Sequence, residues 1–209
     1  MTIDSIMRTS PVIPVLVLDG DGDWEGLTRT FVDHGLTVLE VTLRTPGALD
    51  AIRRMAKVPG AIVGAGTILN AAQLNAAIEA GSQFIVSPGL TDDLARAADD
   101  AAIPFLPGVA TAGDIMRGLD LGLDRFKFFP AERMGGLPAL RALAGPFGQV
   151  RFCPTGGIRA ETAAEWLAHP SVLCVGGSWL VKAGETEWSA VAARATSAAA
   201  LGPSRAALQ

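Results

Sequence analysis

The chain has 209 residues, 49% of them hydrophobic, and a formal net charge of −4. That length suits one domain better than two, and the apolar fraction suffices for a sizeable core. The charge leaves no basic footprint for nucleic acid or for an acidic membrane surface. No apolar run approaches the roughly 20 residues that span a bilayer. The opening "MTIDSIMRTSPVIPVLVLDG" carries an early acidic residue and no long apolar core, so it does not read as a signal peptide. The expectation is a cytoplasmic protein. Cys153 and Cys174 each sit in an apolar run, at a spacing that matches no zinc or redox motif. They read as reduced core thiols.

Short apolar runs recur along the chain: "PVIPVLVL" (11–18), "LTVLEVTL" (36–43), "AIVGAGT" (61–67), "QFIVSPG" (83–89), "IPFLPGV" (103–109), "RFKFFP" (125–130), "VRFCPTGG" (150–157) and "VLCVGGSW" (172–179). Between them lie Ala- and Leu-rich stretches with helical spacing, such as "DWEGLTRTFVDHG", "NAAQLNAAIEAG", "TDDLARAADDA" and "TAGDIMRGLDLG". Several open on Asp, Asn or Thr, the usual N-caps, and end on Gly, the usual stop. About eight strand-then-helix units of roughly 20–25 residues imply parallel strands closing into a single-domain (β/α)₈ TIM barrel over residues 1–209. A doubly wound open sheet is the alternative fold. Residues 1–10 read as a leader covering one end of the barrel, and 200–209 as a tail that frays or packs as a short helix.

In such barrels the active site lies at the C-terminal ends of the strands. Strand residues alternate between the interior and the helix layer. In "VLEVTLR", Leu39, Val41 and Leu43 are apolar and take the helix side, which sends Glu40 and Arg44 inward. In "RFKFFP" the same test sends Phe126 and Phe128 outward, and Lys127 and Phe129 inward. A structural Glu40–Lys127 salt bridge is the bland reading. Desolvation offsets much of the attraction in a buried pair, however, so a barrel selected only for stability would do as well with Val or Leu. A neutral lysine amine in a walled pocket attacks a carbonyl and forms a Schiff base, an electron sink. A neighbouring carboxylate can move protons beside the imine. An arginine can grip a substrate carboxylate at two points. Together these parts suit an enzyme that makes or breaks a carbon–carbon bond next to a 2-oxo acid. Of the other lysines, Lys57 falls at a helix end and Lys182 in a solvated loop.

"PTGGIRAET" and "VGGSW" follow the last two strands, where this fold usually builds a phosphate site from backbone N–H groups and a helix N-terminus. Thr155 and Ser178 add hydroxyls, and Gly156, Gly157, Gly176 and Gly177 allow close approach. Tight turns that need glycine for backbone freedom are the alternative. His34 and His169 fall at a helix end and in a loop, with no cysteine cluster, so no metal is expected. Carbon–carbon lyases use a Schiff base or a metal, and the residues here supply the first set of parts.

The motifs "EVTLRTP", "VGAGT", "SPG", "FKFFPAE", "FCPTGGI" and "CVGGSWLV", in order from about residue 11 to 183, resemble the 2-keto-3-deoxy-6-phosphogluconate (KDPG) aldolases, many of which also act as 4-hydroxy-2-oxoglutarate (KHG) aldolases. The resemblance implies a class I aldolase of the Entner–Doudoroff pathway on a (β/α)₈ barrel, commonly a homotrimer. It would cleave a phosphorylated 2-oxo sugar acid to pyruvate and glyceraldehyde 3-phosphate, through a covalent lysine Schiff base and without a metal. It assigns Lys127 as the Schiff-base lysine and Glu40 as the general acid/base. Arg44 and Thr67 would hold the pyruvate carboxylate, and Pro88 and Phe129 would wall the pocket. Thr155, Gly156 and Gly157 would lie near the substrate hydroxyls and phosphate. Gly176, Gly177 and Ser178 would complete the phosphate site. "EVTLRT" and "PTGG" look more like the gluconate than the galactonate branch. A phosphosugar isomerase or synthase without a Schiff base, and a non-catalytic sensor of phosphorylated sugar acids, are the competing readings. Neither gives a reason for Lys127 beside Glu40.

Overall fold

The computed structural model describes residues 1–182 and 184–201, so the expected tail from 202 onward lies outside the described residues. A leader helix α1 (Ile3–Thr9) precedes an alternating series. The first half runs β1 (Val12–Leu16), α2 (Trp24–Asp33), β2 (Val38–Thr42), α3 (Ala48–Met55), β3 (Ile62–Gly66), α4 (Ala71–Glu79), β4 (Phe84–Val86) and α5 (Asp92–Asp100). The second half runs β5 (Phe105–Leu106), β6 (Gly108–Val109), α6 (Ala112–Asp120), β7 (Arg125–Phe128), α7 (Gly136–Ala144), β8 (Arg151–Phe152), α8 (Ala160–Leu167), β9 (Val175–Gly177) and α9 (Trp188–Ala199). Each apolar run picked out in the sequence contains a strand. Asp23, Asn70, Thr91 and Thr111 cap α2, α4, α5 and α6 as expected, each accepting a backbone N–H with its side-chain oxygen. A cap of this kind contributes about 1 kcal/mol.

All strand pairs are parallel. They form a six-stranded sheet in the order β5-β4-β3-β2-β1-β9 and a three-stranded sheet in the order β6-β7-β8. The run at 103–109, expected as one strand, is broken at Pro107, which has no N–H to give a ladder. On one side of that break β5 pairs with β4; on the other, β6 pairs with β7. Pro107 still accepts a hydrogen bond from the Lys127 N–H, 2.8 Å long. Between β8 and β9 the contact thins to isolated bridges, Phe152 to Val172 and Thr155 to Gly176.

Apolar side chains pack on both faces of the strands. On the outer face Leu39, Val41, Phe126 and Phe128 join the helices in one large cluster. On the inner face Ile13, Val38, Phe84, Val86, Leu106, Cys153 and Cys174 form a second cluster, into which Ile6 and Met7 of α1 insert. A capping box between Thr2 and Ser5 starts α1. Asp4 pairs with Arg8 at 2.8 Å and with Arg125 of β7 at 2.6 Å. The leader is therefore a capped helix whose apolar side, fully buried at Ile6 and Met7, closes one end of the inner face. Burial of two such side chains stabilises its docking by about 3–6 kcal/mol. No helix among the described residues is long and apolar enough to cross a membrane.

Candidate active site

Alternation along β2 and β7 places the two central residues. Leu39 and Val41 take the outer face and Val38 the inner, so Glu40 shares the inner face with Val38. Phe126 and Phe128 take the outer face, leaving Lys127 between them on the inner side. The two side chains meet across 87 residues of sequence: Lys127 Nζ donates to Glu40 Oε1 at 3.0 Å and lies 3.4 Å from Oε2. Lys127 is 5% exposed and Glu40 3%, so water screens this pair little. The ammonium also stands 5.4 Å from the centroid of the Phe129 ring, within cation–π range.

Small residues make room for the carboxylate. A Cβ at Gly66 would lie 2.1 Å from Glu40 Oε1, so only glycine fits the end of β3 with Glu40 in this position. Sequence reasoning did not single out Gly66, although the run "VGAGT" holds the signal. Pro88, half-buried after β4, is approached just as closely, since a Cβ at Gly108 would lie 2.2 Å from its carbonyl oxygen.

Arg44 departs from the strand alternation. β2 ends at Thr42, and Arg44 lies in the turn beyond it, exposed instead of pointing inward. Its N–H donates to the Thr42 carbonyl at 2.8 Å, which turns the chain and ends the alternation. From the rim its Nε donates to Thr67 Oγ1 at 3.1 Å. Thr67 has φ of +60°, a left-handed conformation. In a β-branched residue that conformation is strained, and such strain concentrates at functional sites. Arg44 and Thr67, predicted together, are thus brought together at the strand ends.

The two glycine pairs are neighbours. Thr155, 5% exposed, bridges to Gly176, where a Cβ would lie 2.2 Å from Thr155 Oγ1. Gly156 and Gly157 follow with φ of +102° and +86°, a turn that suits glycine alone. Gly177 lies beneath the Trp179 ring, and Ser178 is exposed beside it. Glu132, another residue the sequence did not flag, sits under this turn. Its N–H donates to the Gly156 carbonyl at 3.0 Å, and its Oε1 accepts from Trp166 Nε1 at 3.2 Å.

The remaining lysines and histidines stay apart from this group, whereas the two cysteines pack beside it on the inner face. Lys57 follows α3 and Lys182 follows β9, both exposed. His34 caps α2, with Nδ1 2.7 Å from the Thr30 carbonyl oxygen. His169 follows α8 and accepts the Ser171 N–H, and burial, with Arg141 nearby, lowers its pKa. Cys153 and Cys174 are free and buried. The hydrogen bond with Cys153, then burial and the Glu40 charge, push the Cys174 thiol well above its ordinary value. Both fit the expected reduced core thiols.

Comparison with known proteins gives the family. The family model described as "Aldolase: KDPG and KHG aldolase" matches residues 3–194. A 2-dehydro-3-deoxy-phosphogluconate aldolase of Zymomonas mobilis is 58% identical over 198 residues, 95% of each chain. The crystal structure of the Z. mobilis ZM4 KDPG aldolase with 3-phosphoglycerate superposes with a TM-score of 0.94 at 57% identity, covering 97% of each chain. A KDPG aldolase of Legionella pneumophila, with pyruvate captured as a covalent carbinolamine, gives 0.92 at 40% identity, covering 95% of this chain and 98% of that one. This chain belongs to the KDPG and KHG aldolase family.

Proposed function

We propose that this chain is a class I aldolase that cleaves KDPG to pyruvate and D-glyceraldehyde 3-phosphate, with KHG cleavage to pyruvate and glyoxylate as a second activity. The observation that carries the reading is the buried pair of Lys127 and Glu40, 3.0 Å apart. The Zymomonas relative's name and the Legionella carbinolamine support it.

The chemistry follows from the geometry. Transfer of one proton from Nζ to the Glu40 carboxylate leaves a neutral amine facing the pocket. That amine adds to the C2 carbonyl of the substrate to give a carbinolamine; Glu40 returns its proton to the carbinolamine hydroxyl, which leaves as water to give the iminium and restores the carboxylate. The Glu40 carboxylate then accepts the proton of the C4 hydroxyl. The C3–C4 bond breaks, the aldehyde leaves, and the electron pair moves into the iminium to give an enamine. Protonation of that carbon by Glu40 and hydrolysis release pyruvate and restore the lysine. The covalent imine is itself the electron sink, so the scheme draws on no metal.

Arg44 and Thr67 hold the substrate carboxylate from the rim. Pro88 and Phe129 wall the pocket, and Thr155 hydrogen-bonds a substrate hydroxyl. The backbone of Gly156, Gly157, Gly176 and Gly177, with Ser178, receives the phosphate. The scaffold in this reading is one domain, a closed (β/α)₈ barrel. In support, the Pro107 carbonyl between β5 and β6 accepts the Lys127 N–H, and the Thr155–Gly176 bridge joins the segments of β8 and β9. The working protein is a homotrimer in the cytoplasm. Incubation with KDPG tests the activity: pyruvate and glyceraldehyde 3-phosphate must appear in equal amounts and persist with a chelator present. Absence of cleavage by folded protein rejects the reading.

A further inference from the structure

We infer that Glu132 is a positioning residue for the phosphate turn, latched by Trp166 so that its charge is directed away from the ligand. This rests on the phosphate reading of Gly156 and Gly157. Three contacts carry it. The backbone N–H of Glu132 donates to the Gly156 carbonyl at 3.0 Å, tying the segment after β7 to the turn after β8. The methylenes of Glu132 lie directly under Gly157, where a Cβ would come within 2.7 Å of both Cβ and Cγ of Glu132. The carboxylate accepts the indole N–H of Trp166 at 3.2 Å, and Trp166 is 2% exposed on α8.

The latch has a purpose that packing alone does not require. Glu132 borders an open cavity of about 350 Å³ that also involves Thr162, Glu165 and Pro138. Sterics therefore do not confine its carboxylate, and the indole N–H is what holds it. Glu132 is exposed, so water and salt screen its charge, but a carboxylate free to swing beside the glycine turn would still repel a phosphate dianion at close range. Held by Trp166, the same side chain supports Gly157 from beneath. Trp166 in turn packs against Phe128, the residue after Lys127, with ring centroids 6.4 Å apart.

The test compares a phosphorylated with an unphosphorylated substrate. Glu132→Ala removes the Cγ part of the support and leaves the buried indole N–H without an acceptor. KM for KDPG is expected to rise on the order of tenfold, with kcat changing less. KM for KHG, which has no phosphate, and the rate of pyruvate trapping on Lys127 should stay within about twofold of wild type. Glu132→Gln keeps an acceptor for Trp166 and should restore the KDPG KM. Glu132→Asp, too short to reach the indole but still charged, should not. An unchanged KDPG KM in Glu132→Ala overturns the inference, as does an equal rise for KDPG and KHG, which would mean general loosening. If Glu132→Ala fails to fold, the Gln and Asp variants decide: equal KDPG KM values in the two overturn it. Wild-type protein that cleaves KHG but shows no preference for the phosphorylated substrate would instead remove the phosphate reading itself.

Discussion

Gly66→Ala separates the geometry of the catalytic pair from the stability of the fold. The added Cβ would lie 2.1 Å from Glu40 Oε1 and 2.7 Å from Glu40 Cγ and Cδ. To reach an ordinary contact distance the carboxylate must retreat by about 1.4 Å. A retreat of that size away from Lys127 takes the 3.0 Å contact beyond hydrogen-bonding range. The atoms that must move belong to one flexible side chain and not to backbone, so the overpacking cost should stay near the lower end of about 1–3 kcal/mol. Catalysis is less forgiving, because a 1 Å misplacement of a reacting group can cost about 10²-fold. We therefore expect kcat for KDPG cleavage to fall on the order of a hundredfold, with a cooperative melt only a few degrees lower. Exchange of the pyruvate methyl protons, followed by NMR, should fall by a similar factor, since it needs the same carboxylate. A folded Gly66→Ala protein with wild-type kcat and exchange would refute the placement of Glu40 as the proton-transfer group.

Lys127→Ala should abolish KDPG cleavage and cost about 3–5 kcal/mol in urea denaturation, because Glu40 is left buried without its partner. The double variant Glu40→Leu/Lys127→Met should recover most of that stability and none of the activity; continued instability would mean the pair is needed for packing. Thr67→Gly relieves the strain of φ +60° and removes the hydroxyl that Arg44 binds. Its melting temperature should hold or rise, while KM for pyruvate in the exchange reaction increases several-fold; an unchanged KM counts against Thr67 and Arg44 as the carboxylate grip. The hydrogen bond from Arg8, opposed by burial and aided by Arg125, holds the Asp4 carboxyl below its ordinary range. A depressed carboxyl contributes stability above its unfolded value and loses it as pH falls through the folded one. The stability difference between wild type and Asp4→Asn should thus be constant at neutral pH and shrink below about pH 3.9; a pH-independent difference would mean the ion pairs with Arg8 and Arg125 contribute nothing.

The parts of this molecule that were legible in its sequence are those governed by short-range periodicity. The alternation in "VLEVTLR" and "RFKFFP" was enough to put Glu40 and Lys127 on one face, because each is flanked by apolar residues that belong in the helix layer. The helix starts at Asp23, Asn70, Thr91 and Thr111 were equally legible, since a cap is a local hydrogen bond. Arg44 shows where the rule ends: alternation holds only while the strand does, and the turn at Thr42 moved the guanidinium to the rim. Gly66 and Glu132 were not legible. Each matters through a contact with a residue distant in sequence, Gly66 with Glu40 and Glu132 with Gly157 and Trp166. The sequence points to a leader covering one end but does not show its helix. Its apolar side is Ile3, Ile6 and Met7, a single turn's spacing in a seven-residue helix and too short for a periodicity to stand out.

The central claim is that Lys127 is the nucleophile, and borohydride trapping with pyruvate tests it most directly. The protein is incubated with pyruvate, reduced, digested and mapped by peptide mass spectrometry. The account predicts one pyruvate-derived adduct on the peptide carrying Lys127, lost in Lys127→Ala. No adduct in folded protein, or an adduct confined to Lys57 or Lys182, would contradict it.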